Sequence, residues 1–161
     1  MSKIKELLND NASVLVFDID GVLAVAEWGE HTHFALSDED WTRACKNGIN
    51  YYTEDKVSHK MQSFIAKKDR SRIFVITTVG DANEGEFKRE FANKYYGIPR
   101  ANVFYVRDDK DKGQMLLEIK RKFPHISDEK LIMIDDTVSI LNDIMANTNF
   151  STAHISSFLD I

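Results

Sequence analysis

Two pairs of acidic residues follow apolar runs in this sequence. Asp18 and Asp20 come directly after the run SVLVF, and Asp135 and Asp136 come directly after LIMI. The side-chain period along a strand is two, so Asp18 and Asp20 point the same way as the chain leaves the strand. One such carboxylate can attack phosphorus and form an aspartyl-phosphate, while the other protonates the leaving alkoxide and later deprotonates water. The spacing is therefore suited to phosphoryl transfer.

Residues that can bind a phosphate group stand at comparable positions. Thr77 and Thr78 follow the run RIFVI, and Lys112 stands near the start of a predicted helix. A hydroxyl and an ammonium group can both donate to phosphate oxygens. Thr77 fits better than Thr78 because it follows the run directly. Gly21 allows the chain to turn away sharply, and amides near it can meet phosphate oxygens.

Asp18, Asp135 and Asp136 together form a set of oxygen donors. Mg²⁺ prefers such donors and commonly takes one or two carboxylates together with phosphate oxygens and water. A bound metal offsets the repulsion between an anionic nucleophile and a phosphate, and it polarises the transferred group. The sequence therefore predicts Mg²⁺ as the cofactor.

Strands that are buried on both faces are predicted where β-branched and aromatic residues run together. These runs are residues 13–17, 72–76, 102–106 and 131–134, with a weaker fifth run at 152–155. They lack the alternation of half-exposed strands, which is typical of parallel sheets. Helical patterns cover about residues 53–68, 83–96, 112–123 and 138–146. The alternation predicts one α/β, Rossmann-like domain over residues 1–161, with a central parallel sheet and helices on both faces.

Residues 24–52 do not fit this alternation. The segment is too long for an ordinary βα loop and too short for a second domain, so we interpret it as a flap over the end of the sheet. Three of its aromatic residues, Trp28, Phe34 and Trp41, either contact the substrate or pack on the core. Its two histidines, His31 and His33, are either ligands or incidental exposed residues.

The motifs and their order resemble those of the haloacid dehalogenase superfamily over residues 13–147. Residues 14–22 (VLVFDIDGV) are similar to its first motif, residues 73–77 to its second, Lys112 to its third and residues 131–136 (LIMIDD) to its fourth. Val22 stands where threonine is commoner, and the fourth motif has two aspartates in place of glycine and aspartate. Lys110 is the alternative to Lys112 in the third motif.

This resemblance implies a haloacid-dehalogenase-type fold and a Mg²⁺-dependent phosphatase with Asp18 as nucleophile and Asp20 as acid and base. It implies that the metal is bound by the Asp18 carboxylate, the Asp20 carbonyl and Asp136, with Asp135 binding directly or through water. The flap at 24–52 would be a minimal cap. Members with so small a cap tend to act on large substrates or to be covered by a second copy of the chain, as a homo-oligomer.

The second half of the chain is also similar to the 3′-phosphatase domain of polynucleotide kinases. The similar segments are residues 96–99 (YGIP), 107–111 (RDDKD) and 134–136 (IDD). That family carries an arginine just after its second motif, where this chain has Val79, Gly80 and Asp81. The resemblance implies a nucleotide or a polynucleotide end as the substrate, and another phosphomonoester such as a sugar phosphate stays open.

Two other functions are compatible with such a chain. A dehalogenase of the same fold needs neither Asp20 nor magnesium, so both features argue against it. A non-catalytic, regulatory domain that binds phosphate is the alternative from another class, although all the chemical residues are present.

Composition limits the kinds of partner and the cellular compartment that are expected for this chain. The 161 residues are 43% hydrophobic and 29% charged, which is typical of a globular domain, and no apolar run approaches the length that crosses a bilayer. The net charge of −5 argues against broad nucleic-acid binding. Cys45 is the single cysteine, which excludes an internal disulfide. Together with a charged N-terminus, it favours a cytoplasmic protein.

Overall fold

The computed structural model describes residues 2–25, 36–53 and 56–159. Its strands are β1 (Val14–Phe17), β2 (Ala24–Val25), β3 (Lys56–Val57), β4 (Ile73–Thr78), β5 (Val103–Val106), β6 (Leu131–Asp135) and β7 (Ser151–His154). Five of them form one sheet in the order β5-β4-β1-β6-β7, and every pairing in it is parallel. The strands β2 and β3 form a separate antiparallel pair. The predicted single α/β domain with a central parallel sheet is confirmed.

Helices cover both faces of this sheet. They are α1 (Lys3–Asn9), α2 (Asp38–Lys46), α3 (His59–Ala66), α4 (Ala82–Tyr96), α5 (Lys112–Arg121) and α6 (Val138–Asn147). Leu15 and Phe17 of β1 belong to a core formed with α1, α3 and α4. Val14 and Val16 point the other way, into a core formed with α5 and α6. Both faces of β1 are therefore apolar, which explains its uninterrupted hydrophobic sequence.

One predicted helix begins in the wrong place. The sequence predicts a helix from Thr53 to about residue 68, but α3 begins at His59, and the Ser58 hydroxyl accepts a hydrogen bond from the Met61 amide (3.3 Å). Thr53 ends a short 3₁₀ turn. The helix cannot extend back to Thr53 because Val57 pairs with Ala24 in an extended strand.

The described part of the predicted flap contains regular structure. Helix α2 begins after Ser37, whose hydroxyl accepts a hydrogen bond from the Asp40 amide (3.2 Å), and it packs against α4. Acidic residues occupy its first turn and basic residues its last, an order that suits the helix dipole. The predicted flap residues Trp28, His31, His33 and Phe34 lie outside the described residues.

Within the part of the chain that the structure describes, none of the helices has the length and apolar character needed to cross a membrane.

Candidate active site

Three carboxylates meet at the carboxyl end of the sheet. Asp18 directly follows β1, and its amide donates to the carbonyl of Ile134 (2.9 Å), which continues the pairing with β6. Asp135 is the last residue of β6 and Asp136 follows it. One carboxylate oxygen from each of Asp18, Asp135 and Asp136 lies within 4.8 Å of the others. The structure thus brings together three of the predicted metal ligands.

The buried ammonium of Lys112 joins this cluster. Lys112 is the first residue of α5, and its Nζ lies 2.9 Å from Oδ2 of Asp135, 3.4 Å from Oδ1 of Asp18 and 3.9 Å from Oδ1 of Asp109. Lys110 is exposed in the turn before the helix. The structure therefore brings Lys112, and not its alternative Lys110, to the acids.

Burial and like charges change the proton affinity of these groups. Burial, opposed by Lys112 and reinforced by Asp135 and Asp20, raises the pKa of Asp18 to about 7. Burial and the charge of Asp135 also raise the pKa of Asp136. Burial alone would lower the pKa of Lys112, but the carboxylates of Asp18 and Asp135 outweigh it and the pKa is raised. The cluster holds more negative charge than one ammonium offsets.

The two oxygens of Asp135 are already engaged within the protein. Oδ2 accepts from Lys112, and Oδ1 accepts from the Thr137 amide (2.9 Å). By contrast, Oδ1 of Asp18 is buried and accepts no hydrogen bond among the described residues, where its charged neighbour is Lys112 at 3.4 Å. A buried carboxylate oxygen without a donor is unusual. Asp18 therefore has coordination capacity that Asp135 largely lacks.

Gly21 lies directly against Asp136. Its φ is +75°, and a Cβ at this position would overlap the Oδ2 atom of Asp136. The Gly21 amide donates to the carbonyl of Ala24 (2.9 Å), inside a tight turn. The amide that the sequence predicts for phosphate binding is thus committed to the turn in this structure. Gly21 instead provides the space that the Asp136 carboxylate occupies.

The two threonines at the end of β4 have different surroundings. The Thr77 hydroxyl is buried and without a hydrogen-bond partner among the described residues. The Thr78 hydroxyl donates to Asp109, and its carbonyl accepts from Lys88 (2.6 Å). Strand β4 is the neighbour of β1, so both threonines end beside the Asp18 loop. Of the two, Thr77 is the one whose hydroxyl is not committed to a protein partner among the described residues.

Asp20 lies in a second charged group, next to the carboxylate cluster. Its Oδ1 accepts from the Tyr52 hydroxyl (2.8 Å), and its Oδ2 lies 2.7 Å from Nζ of Lys88. Lys88 also pairs with Glu84 (2.9 Å), and both residues are buried in α4. Burial alone would lower the pKa of Lys88, but Asp20 and Glu84 outweigh it and the pKa is raised.

Sequence reasoning missed Lys88, Glu84 and Tyr52. A signal for Glu84 and Lys88 was present in the sequence. Lys88 lies three and four residues before Phe91 and Ala92, and Glu84 lies four residues before Lys88, so helical spacing places both on the apolar face of α4. The buried positions of this helix are Glu84, Gly85, Lys88, Phe91, Ala92 and Tyr96. Charged residues on the apolar face of a helix indicate a paired or functional group.

A cavity of about 250 Å³ opens beside Asp20. Lys88, Thr78 and Trp41 line it together with Asp20. The Trp41 ring stacks on the Tyr51 ring, with 5.3 Å between the ring centroids, and it contacts the Tyr52 ring edge-on, with 5.7 Å between the centroids. Trp41 also packs against the main core, so it has a structural role in addition to its place at the cavity.

Comparison with known proteins supports the fold but does not assign a function. No family model matches the chain, and no curated protein matches it significantly. Among solved structures, DsGPDH of Dunaliella salina is similar in fold, with a TM-score of 0.56, 20% identity, and coverage of 94% of this chain and 25% of that chain. This chain thus spans about a quarter of that protein. The HAD domain of the effector protein Lem4 from Legionella pneumophila gives a TM-score of 0.45 and 13% identity, over 88% of this chain and 84% of that one.

Proposed function

We propose that the protein is a Mg²⁺-dependent phosphomonoester hydrolase that acts through a phosphorylated Asp18. The observation that carries the proposal is the meeting of the carboxylates of Asp18, Asp135 and Asp136 with the buried ammonium of Lys112. The site lies at the carboxyl ends of parallel strands, where open α/β sheets bind their ligands. The resemblance of the sequence motifs to the haloacid dehalogenase superfamily supports the same reaction.

The donor set fits a hard divalent cation. All the candidate ligand atoms are oxygens, one buried Asp18 oxygen accepts no hydrogen bond among the described residues, and Gly21 leaves room for the Asp136 carboxylate. We assign the carboxylates of Asp18 and Asp136 as direct metal ligands. The backbone carbonyl of Asp20 is assigned as the third protein ligand. Asp135, already bound to Lys112 and Thr137, would contribute through water. When bound, Mg²⁺ supplies positive charge that brings the substrate phosphate and the Asp18 carboxylate together.

In the first half of the reaction the phosphoryl group moves to Asp18. A carboxylate oxygen of Asp18 forms a bond to phosphorus as the bond from phosphorus to the alkoxide oxygen breaks. The Asp20 carboxyl gives its proton to that alkoxide, which leaves as an alcohol. Lys112 and the free Thr77 hydroxyl can donate to the phosphate oxygens that carry the developing charge.

In the second half, water releases the phosphate. Asp20, now a carboxylate, takes a proton from a water molecule whose oxygen forms a bond to phosphorus. The bond from phosphorus to Asp18 breaks, and Asp18 returns to its carboxylate form. Because Asp20 ends protonated again, the cycle balances.

We propose a nucleotide or a polynucleotide end as the substrate. Support comes from the resemblance of the second half of the chain to a polynucleotide 3′-phosphatase. It also comes from Trp41, which lines the cavity next to Asp20 and offers an aromatic surface to a base. A sugar phosphate is the competing substrate and is included in the test.

The test is a phosphatase screen in Mg²⁺ and in EDTA. The substrates are p-nitrophenyl phosphate, nucleotides, sugar phosphates, phosphopeptides and 3′-phosphorylated oligonucleotides. Asp18→Asn should abolish turnover while the circular dichroism spectrum stays unchanged. Asp128→Asn, a change at a partly exposed aspartate just before β6, at the end of that strand opposite the carboxylate cluster, serves as the matched control.

Two results would contradict the proposal. Activity in Asp18→Asn above a few per cent of the wild-type value would remove Asp18 as the nucleophile. Binding of phosphate compounds by the wild-type protein, without turnover of any of them, would favour a non-catalytic, regulatory domain.

A further inference from the structure

Lys88 is a buried cation whose hydrogen-bonding capacity is fully used. It is 1% exposed, and its Nζ lies 2.7 Å from Oδ2 of Asp20, 2.9 Å from Oε1 of Glu84 and 2.6 Å from the carbonyl of Thr78. An ammonium group has three N–H donors, and here three oxygens surround it. The position of Nζ is therefore fixed from three directions.

Glu84 is the second carboxylate that holds Lys88. The Glu84 side chain is buried, with Oε1 on Lys88 and Oε2 accepting from the Gly80 amide (2.8 Å). Glu84 thereby connects Lys88 to the loop that follows β4. Helix α4, strand β4 and this loop all contribute to holding one ammonium group.

Asp20 receives a donor on each carboxylate oxygen. Lys88 approaches Oδ2, and the Tyr52 hydroxyl donates to Oδ1 (2.8 Å). The Asp20 side chain is 33% exposed, and it borders the cavity that Trp41 and Thr78 also line. Its carboxylate is thus oriented from the buried side while it stays open to a ligand in the cavity.

We propose that Lys88, held by Glu84, is a positioning residue that orients the Asp20 carboxylate for proton transfer. The inference rests on the proposed function, since it assigns a role within the same reaction. Lys88 is not a phosphate ligand in this assignment, because its three donors are occupied by protein oxygens. Lys112 is assigned to the phosphate oxygens instead, because only its contact with Asp135 is a hydrogen bond, whereas Asp18 and Asp109 lie at 3.4 and 3.9 Å.

The test variant must remove the ammonium without leaving a buried charge. K88M alone would leave the buried Glu84 carboxylate without its cation, so the combined variant K88M/E84Q is used. K94M, at an exposed lysine of the same helix, is the matched control. Y52F removes the other contact to Asp20 without a charge change, so it measures how far the orientation of this carboxylate matters. E84Q alone removes the charge that holds Lys88, and it tests the inference even if K88M/E84Q does not fold, because it should show the same leaving-group dependence with a smaller loss.

The expected signature is a loss of kcat that depends on the leaving group. For an alkyl phosphate we expect kcat to fall about 10-fold or more in K88M/E84Q, and by less for p-nitrophenyl phosphate, whose leaving group needs little protonation. Because Lys88 does not contact the phosphate, KM and the inhibition constant of orthovanadate should stay within about twofold. Y52F should show the same pattern with a smaller loss.

A mutant cycle with D20N separates positioning from a structural role. If Lys88 acts through Asp20, adding K88M/E84Q to D20N should cause little further loss beyond D20N alone. Losses that multiply, an unchanged kcat, or a changed vanadate constant would each overturn the inference. In those cases an active wild-type protein would leave the proposed function standing, whereas a wild-type protein without phosphatase activity would end both.

Discussion

A glycine is necessary at position 21 for two separate reasons. One is the backbone, whose φ of +75° disfavours other residues, and the second is the Asp136 carboxylate, which occupies the place of a Cβ. Gly48 has a similar φ of +79° but nothing within 4 Å of the same hypothetical Cβ. The chain therefore contains its own control for separating strain from contact.

We expect Gly48→Ala to lower stability by about 1–2 kcal/mol, because it forces a Cβ into the left-handed region. Gly21→Ala should lower stability by at least as much, because its Cβ must also displace the Asp136 carboxylate. Only Gly21→Ala should also reduce phosphatase activity, by about a hundredfold, because it displaces Asp136. Thermal unfolding and kcat/KM at saturating Mg²⁺ measure the two effects. Equal activity in the two variants would show that the Asp136 carboxylate adapts without cost.

The two aspartates at the end of β6 should respond differently to substitution. Asp136→Ala should raise the Mg²⁺ concentration needed for half-maximal activity by about tenfold or more. Asp135→Ala should affect metal activation less and should lower the melting temperature more, since it leaves the buried Lys112 without its closest partner. Magnesium titrations and thermal melts of both variants test this order. A stronger metal defect in Asp135→Ala would reverse the assignment.

At the scale of the elements, Trp41 links α2 to the site. It stacks on Tyr51, meets Tyr52 edge-on, and lines the cavity beside Asp20. The sequence left a substrate-selecting role and a packing role open for this residue, and its position is compatible with both.

If Trp41 selects the substrate, Trp41→Ala should change the ratio of kcat/KM values between nucleotide and sugar phosphates. The same variant should still cleave p-nitrophenyl phosphate. Trp41→Phe, which keeps an aromatic ring, should retain much of the preference. A uniform loss on every substrate, together with a lower melting temperature, would assign Trp41 to packing alone.

The sequence was most informative where burial is continuous. All five strands of the parallel sheet were predicted within about two residues, because uninterrupted apolar runs such as RIFVI and LIMI are typical of strands that are covered on both faces. The short strands β2 and β3 were not predicted. The beginning of α3 was predicted wrongly, because the pairing of β2 with β3 depends on residues far apart in sequence. Helix α2 was missed although Ser37 and the acidic residues after it form a recognisable start signal.

The same distinction applies to the site. Asp18, Asp135 and Asp136 could be predicted to meet because each follows a strand, and the topology of a parallel sheet brings strand ends together. The contacts of Lys88 and Tyr52 with Asp20 could not be predicted, because they depend on how α4 and the 3₁₀ turn at residues 51–53 pack. Strand ends are fixed by the sheet, whereas side chains from helices depend on the rotation of each helix.

At the scale of the whole molecule, the site affects stability. In the folded protein without metal, the pKa of Asp18 is about 7, compared with an ordinary value of 3.8. A carboxyl group whose pKa is raised by folding contributes its full stability below the ordinary value. That contribution is lost as the pH rises through the folded value.

We therefore expect Asp18→Asn to be more stable than the wild-type protein in EDTA at pH 8, by a few kcal/mol, since one pKa unit corresponds to about 1.4 kcal/mol. The difference should grow between about pH 4 and pH 7. Saturating Mg²⁺ should reduce or reverse it, because the metal binds the ionised form. Melting curves across this pH range, with Asp128→Asn as control, measure it. Parallel curves for Asp18→Asn and wild type would contradict the raised pKa.

The place of β1 in the middle of the sheet has a consequence for how the chain folds during synthesis. Its ladder partners are residues that come much later in the chain, with Leu15 beside Ile73 and Val14 beside Leu131. During synthesis β1 leaves the ribosome early and waits unpaired until β4 and then β6 have emerged. Asp135 and Asp136 arrive with β6, so the last strand to flank β1 also delivers the partners of Asp18. The carboxylate cluster of Asp18, Asp135 and Asp136 therefore cannot form before β6 has joined the sheet.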